Sequence, residues 1–196
     1  MLLKEIESIV KSFGWDIFLR IYGNFHPSII GLLSADWLRR SRDNCVLDGA
    51  PSPIIGNGRH QKNADLILCE GRRPSIVVEA ENNVIHYFNK LDSLFDYLDN
   101  NPRFEGIDFG LMVLGNYKTG PGKYQHNWDD LKEKISGTGH SIALVSIQRT
   151  RETLDNTVLG KLRRNDYGPW AITSIDYWIH SKDGLVEGNV IEVIHK

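Results

Sequence analysis

No stretch of the chain approaches the roughly 20 consecutive apolar residues needed to cross a bilayer, so no membrane-spanning segment is expected. The opening residues, "MLLKEIESIVKSFGW", carry a charge every few positions and lack an apolar signal core, which points to a cytoplasmic protein. Cysteine is scarce. Cys45 and Cys69 are the two in the chain, and they form neither a CxxC pair nor a zinc spacing. One disulfide between them is the alternative to the expected pair of free thiols in a reducing compartment. Excess charge is missing too: at -2 the net charge gives no whole-protein field for holding a polyanion, so nucleic-acid contact must rest on local clusters. There is no HExxH and no GxSxG, which removes the usual signatures of zinc proteases and serine hydrolases. "GNYKTGPGKYQ" has the glycines of a phosphate loop at 115 and 120, but Pro121 stands where the Walker pattern needs lysine. An ordinary glycine-rich loop is expected there, with Lys118 and Lys123 able to touch a nucleic-acid backbone.

What is present fits one globular domain. The 196 residues, 41% of them hydrophobic and 24% charged, suffice for a sizeable core. Leu2, Ile6, Ile9, Val10 and Phe13 recur at helical spacing, and "SIIGLLSADWLRRSRDN" reads as a second helix with Arg39, Arg40 and Arg42 near its C-terminal end. The segment "LDGAPSPIIGNGRHQKN" is rich in proline and glycine and reads as loop. The period then changes. "ADLILCE" and "SIVVEAE" are short strands around "GRRP", a hairpin or near-hairpin. An amphipathic helix follows in "VIHYFNKLDSLFDYLDNN", with Val84, Phe88, Leu91, Leu94, Phe95 and Leu98 along its apolar stripe. "IDFGLMVLG" is the best candidate for a fully buried strand. "NWDDLKEKI" is a short helix capped by Asn127, and "HSIALVSIQR" is another strand. The tail reads as a hairpin turning at Asp183-Gly184. Helices alternating with strands in this order predict a mixed-sheet α/β or α+β domain.

The acidic residues of the first hairpin carry the chemistry. Strand side chains alternate faces, so Val77, Glu79 and Glu81 share one face. A tight turn at "GRRP" sets Asp65 opposite residue 78 or 79, within reach of a cation shared with Glu79. Carboxylates this close repel unless a metal or a cationic side chain lies among them. Hard oxygen ligands suit Mg²⁺ or Mn²⁺, and a metal so held activates water and neutralises phosphoryl charge. That chemistry hydrolyses phosphodiesters. The ordinary alternative sets Glu79 and Glu81 on the solvent face of a half-exposed strand. Among the basic clusters, Arg59, His60 and Lys62 lie just before Asp65 and are the best candidates for holding a nucleic-acid backbone. The aromatic "NDYGPWAITSIDYW" is expected in core or at a dimer face, with base stacking as a lesser use.

The stretch from Asp65 to Glu81 resembles the PD-(D/E)xK nuclease superfamily. Its motif is an aspartate opening one core strand and an acidic residue, any residue and lysine on the next. Asp65 and Glu79 match, Asn63-Ala64 replaces the loosely kept proline, and Glu81 stands at the lysine position. "VVEAENNVIHYFNKLDSL" is similar to a branch with alternating glutamates, then asparagine, then a helix bearing Lys-Leu. In that branch the missing lysine comes from the helix, which makes Lys90 its counterpart. The resemblance covers about residues 60 to 115 well and the flanks by element order alone. It implies a restriction-endonuclease-like α/β fold, a mixed central sheet flanked by helices, over residues 1 to 196. The core lies at about 60–150, with a C-terminal β-hairpin extension over 165–196. It also implies a metal-dependent DNA nuclease, in restriction, repair or defence, with Mg²⁺ or Mn²⁺ held by Asp65, Glu79 and the backbone carbonyl of Ala80. Glu81 would orient the attacking water or bind a second ion, and Lys90 would stabilise charge on the phosphate. An acidic residue of the first helix, Glu5 or Glu7, sometimes joins such a site. Some members keep the scaffold without catalysis and bind nucleic acid or protein, and that is the alternative. Cutting both strands of a duplex needs two sites, which makes a homodimer one arrangement, although no residue demonstrates it.

Overall fold

The computed structural model describes residues 4, 8–9, 21–22, 25–48, 63–82, 84–99, 107–115, 125–151 and 169–190. Among the described residues, eight strands form one mixed sheet: β1 (Ile21–Tyr22), β2 (Cys45–Asp48), β3 (Leu66–Glu70), β4 (Arg73–Glu81), β5 (Phe109–Gly115), β6 (Ile142–Arg151), β7 (Pro169–Ser181) and β8 (Gly184–Val190). Three helices of more than ten residues accompany them among the described residues: α1 (Phe25–Arg40), α2 (Tyr87–Asp99) and α3 (Gln125–Ser136). Along the sheet the order is β1-β7-β6-β5-β4-β3-β2, with β8 also paired to β7. The central strands β4, β5 and β6 run parallel, and the remaining pairs are antiparallel.

Hydrophobic alternation divides the core into two halves. Leu66, Leu68, Ile76, Val78, Leu111, Val113 and Val145 pack on one face against Ile29, Leu33 and Trp37 of α1. Ile67, Val77, Met112, Leu114 and Leu144 pack on the other, under Tyr87, Leu91 and Leu94 of α2 and Leu131 and Ile135 of α3. The result is a three-layer α/β/α sandwich. Both α2 and α3 lie on one face because β4, β5 and β6 advance across the sheet in one direction, and parallel crossovers keep a single hand. All seven residues of β5 are buried, as its unbroken apolar run predicts for a strand covered on both faces.

Most expected elements are present, with boundary corrections. The second helix starts at Phe25, earlier than its apolar repeat indicates, and Arg40 is tied to Asp36 one turn back. The apolar stripe of α2 is rotated from expectation. Its buried residues are Tyr87, Leu91, Leu94 and Tyr97, whereas Phe88, Phe95 and Leu98 are partly covered. Two tyrosines can occupy the buried stripe because their hydroxyls find partners: Tyr87 donates to the Gly115 carbonyl at 2.9 Å, and Tyr97 accepts the Ala64 N–H at 2.7 Å. Helix α3 begins two residues before Asn127, so that asparagine lies inside the helix and is not its cap. The C-terminal hairpin turns through Lys182-Asp183, one residue earlier than expected, and Gly184 opens β8 with φ +138°. Strand β7 continues the main sheet, pairing with β6 along ten residue pairs. Strand β2 had no clear sequence signal. It pairs Cys45 directly with Cys69, and both cysteines are free. Burial first, then the neighbouring Cys45, pushes the Cys69 thiol up to about 12.

Helix-to-sheet contacts at the start of β3 steady the residues that matter most below. Ala64 is fully buried, and its N–H depends on Tyr97. Tyr97→Phe strands that donor and is expected to cost about 1–3 kcal/mol, read as a lower denaturation midpoint at unchanged denaturant slope.

Candidate functional site

The turn at Gly71-Arg72, where Gly71 takes φ +60°, closes the β3–β4 hairpin. Its register runs from Glu70↔Arg73 to Leu66↔Val78, with an irregularity between Leu68 and Cys69. One step beyond the last pair, Asp65 faces Glu79, and the two carboxylates meet where β3 begins and β4 nears its end. This is the C-terminal edge of the parallel strands, where open α/β sheets leave a crevice for ligands.

Glu79 lies on the α2 face of the sheet because Val77, two residues earlier, belongs to that core while Ala80 belongs to the opposite one. Its residue exposure is only 1%. The ordinary reading of Glu79 as a solvent-facing residue is therefore excluded. A buried carboxylate requires a partner, and helix α2 provides it. Lys90 is three residues after Tyr87 and one before Leu91, so it rides on the buried stripe and its ammonium reaches the sheet. Its Nζ donates to Glu79 Oε2 at 2.6 Å and to both oxygens of Asp65 at 3.0 Å. Asp65 has two further donors. The Ala80 N–H reaches Oδ2 at 2.8 Å, and His26 Nε2 lies 3.0 Å from Oδ1.

These contacts divide the charge. Burial raises the Asp65 carboxyl, but the His26 hydrogen bond, the Ala80 N–H and Lys90 outweigh it and hold the group well below the usual carboxylate range. Burial also pushes Glu79 up to about 8, with the Asp65 charge adding to it and Lys90 opposing. Burial works against the Lys90 ammonium, yet Glu79 and Asp65 together keep its pKa above the ordinary lysine value. His26 is raised by its hydrogen bond to Asp65. Asp65 thus keeps its charge well into acid, Lys90 keeps its proton, and Glu79 holds its proton to higher pH than an ordinary carboxyl. With a single lysine between two carboxylates, this is the distribution with least net buried charge.

Glu81 lines the same cleft, a space of about 460 Å³ also bordered by Asn63, Glu79, His86, Asn89 and Lys90. Its Oε1 accepts the Asn82 N–H at 2.8 Å. His86, Asn89 and Ser93 recur along one side of the α2 region and face this cleft. Ile85, beside them, is 80% exposed.

Three of the predicted site residues, Glu79, Glu81 and Lys90, line one cleft, Asp65 joins them through its bonds to Lys90, and Ala80 joins through its N–H. Arg59, His60, Lys62, Glu5, Glu7, Lys118 and Lys123 lie outside the described residues. His26 was missed. It stands 39 positions from Asp65, in a helix on the other side of the sheet, and no spacing rule connects the two. Among the described residues no three His, Cys, Asp or Glu side chains form a metal-ligand set, and no helix is long and apolar enough to cross a membrane. Comparisons with protein-family models, with curated proteins and with solved structures find no match for this chain.

A buried acid with a raised pKa takes up a proton on folding, so its contribution to stability falls as pH rises through the window between its ordinary and its native pKa. For Glu79 that window runs from 4.5 to about 8. Glu79→Gln, which mimics the protonated form, should therefore gain stability relative to the unsubstituted protein between pH 5 and pH 8, on the order of a few kcal/mol. Chemical denaturation at several pH values checks this, and a pH-independent difference would contradict it.

Proposed function

We propose that the chain is a metal-dependent nuclease that hydrolyses DNA phosphodiesters on a restriction-endonuclease-like core. The observation that carries this reading is the convergence of Asp65, Glu79 and Lys90 within 3.0 Å at the end of β4. The element order supports it: α1, the antiparallel β2, β3 and β4, then α2 and the parallel β5, is the helix, strand, helix, strand sequence that the PD-(D/E)xK resemblance implies. The silent-scaffold alternative expects a Lys90 ammonium remote from Glu79, and a separation of 2.6 Å weighs against it.

The donor set suits a hard divalent cation. Three carboxylate oxygens, two from Asp65 and one from Glu79, converge on the Lys90 ammonium, which stands where a small cation would be held. Mg²⁺ sites commonly use one or two carboxylates and leave the remaining positions to water and phosphate. Asp65 and Glu79, with the Ala80 carbonyl, would hold Mg²⁺ or Mn²⁺, which supplies a more acidic water and neutralises phosphoryl charge. Lys90 has the reach to turn its ammonium from the carboxylates into the cleft, where it balances charge growing on the phosphate. Glu81, at the cleft wall, accepts a hydrogen bond from the attacking water and fixes its direction. His86, Asn89 and Ser93 offer polar contacts to the adjoining sugar and phosphate. Arg59, His60 and Lys62 remain the proposed backbone-holding cluster, and a homodimer is the proposed route to cutting both strands.

Plasmid DNA incubated with Mg²⁺ or Mn²⁺ provides the test. Cleavage is expected for the intact protein, with loss of about 10²–10³-fold or more in Asp65→Asn, Glu79→Gln and Lys90→Met. Cleavage that survives both carboxylate substitutions would refute the assignment.

A further inference from the structure

We infer that His26 is the positioning residue of the site, holding Asp65 so that its carboxylate stays aimed at the cation position when Lys90 leaves. The inference rests on the proposed cation site and adds to it a residue from the opposite side of the sheet. It follows from an account of acceptor sites. A carboxylate offers about four lone-pair positions, two on each oxygen. On Asp65, Oδ1 receives His26 Nε2 and Lys90 Nζ, each at 3.0 Å, and Oδ2 receives the Ala80 N–H at 2.8 Å and Lys90 Nζ at 3.0 Å. Lys90 therefore uses one position on each oxygen. When its ammonium turns away, both oxygens lose a donor on the same side and together present a two-oxygen face to a cation.

Such a face is useful only if the carboxylate does not then rotate. Among the described residues two donors remain, one on each oxygen, and they are of different kinds. The Ala80 N–H belongs to β4 and is fixed by the sheet. His26 comes from the first turn of α1, a helix anchored by Ile29, Ile30 and Leu33 against the far face. Its short, two-torsion side chain loses little freedom in making the bond, whereas the lysine stem is long and flexible. Nε2 donates to the carboxylate in the charged imidazole and in the neutral Nε2–H tautomer, which the adjacent Asp65 anion favours, so the holding role needs no change in protonation. Removing His26 leaves Oδ1 without a fixed partner and lets the carboxylate swing about its bond to the strand. Partners that orient metal-binding carboxylates typically change metal affinity by about 10–100-fold when removed.

Calorimetric titration of the full chain with Mn²⁺ tests this, comparing the unsubstituted protein with Asp65→Asn, His26→Ala and His26→Gln. Thermal melts of each variant serve as the check on folding. Glutamine places an amide N–H close to where Nε2 lies. The expected result is binding by the unsubstituted protein, loss in Asp65→Asn, weakening of about tenfold or more in His26→Ala, and recovery to within about threefold in His26→Gln. Equal affinity in His26→Ala and the unsubstituted protein overturns the positioning role and leaves the cation site standing. A glutamine variant as weak as the alanine one, with an unchanged melt, also overturns it. No Mn²⁺ binding by the unsubstituted protein removes the cation site itself, and the inference with it.

Discussion

A glutamate with 1% of its surface exposed, in the middle of an α/β sandwich, is the constraint on which the site depends. Glu79 cannot be ionised there without a cation, and it cannot be neutral without raising its pKa. The molecule does some of both. Lys90 provides a cation at 2.6 Å, and burial, with the Asp65 charge adding to it, pushes the Glu79 carboxyl up to about 8. Replacing such a cluster with well-packed apolar side chains is often neutral or stabilising, so stability alone does not explain it. A perturbed acid in a cleft, beside a second acid and a lysine, is a candidate functional site, and this is what joins the fold to the proposed nuclease function.

Three layers meet at that point. The sheet contributes Asp65, Glu79 and the Ala80 N–H. The helix on one face contributes Lys90, and the helix on the other contributes His26. Each donor to Asp65 thus comes from a different structural element, and the carboxylate is oriented by the fold as a whole. Tyr97 extends the arrangement by fixing the backbone at Ala64, immediately before Asp65.

How much of this could be read beforehand varies from residue to residue. The Asp65–Glu79 pairing was legible because a two-residue turn and strand alternation fix cross-strand neighbours to within one position, and the irregularity at Leu68 shifts the count within that range. Lys90 is legible from the resemblance, and the helix pattern carries a second signal once tyrosine is counted. With Tyr87 and Tyr97 admitted to the buried stripe, Lys90 falls on it at i+3. Counting only aliphatic residues and phenylalanine rotated the stripe away from the lysine. Tyrosine in a buried stripe is tolerated only with a hydroxyl partner, and such partners are invisible in one dimension. Strand β2 escaped notice because four residues at a sheet edge carry little periodicity. His26 was illegible for a deeper reason. Its contact is purely tertiary, made across the thickness of the sheet by elements with no local relation.

The proposed function requires that Asp65 and Glu79 form a cation site in which Lys90 holds the place of a divalent ion. The most direct measurement is anomalous diffraction from a crystal soaked in Mn²⁺. A peak is expected about 2.0–2.3 Å from oxygens of both Asp65 and Glu79, with the Lys90 ammonium displaced into the cleft. No peak between the two carboxylates, with Lys90 still bridging them at saturating Mn²⁺, would contradict it.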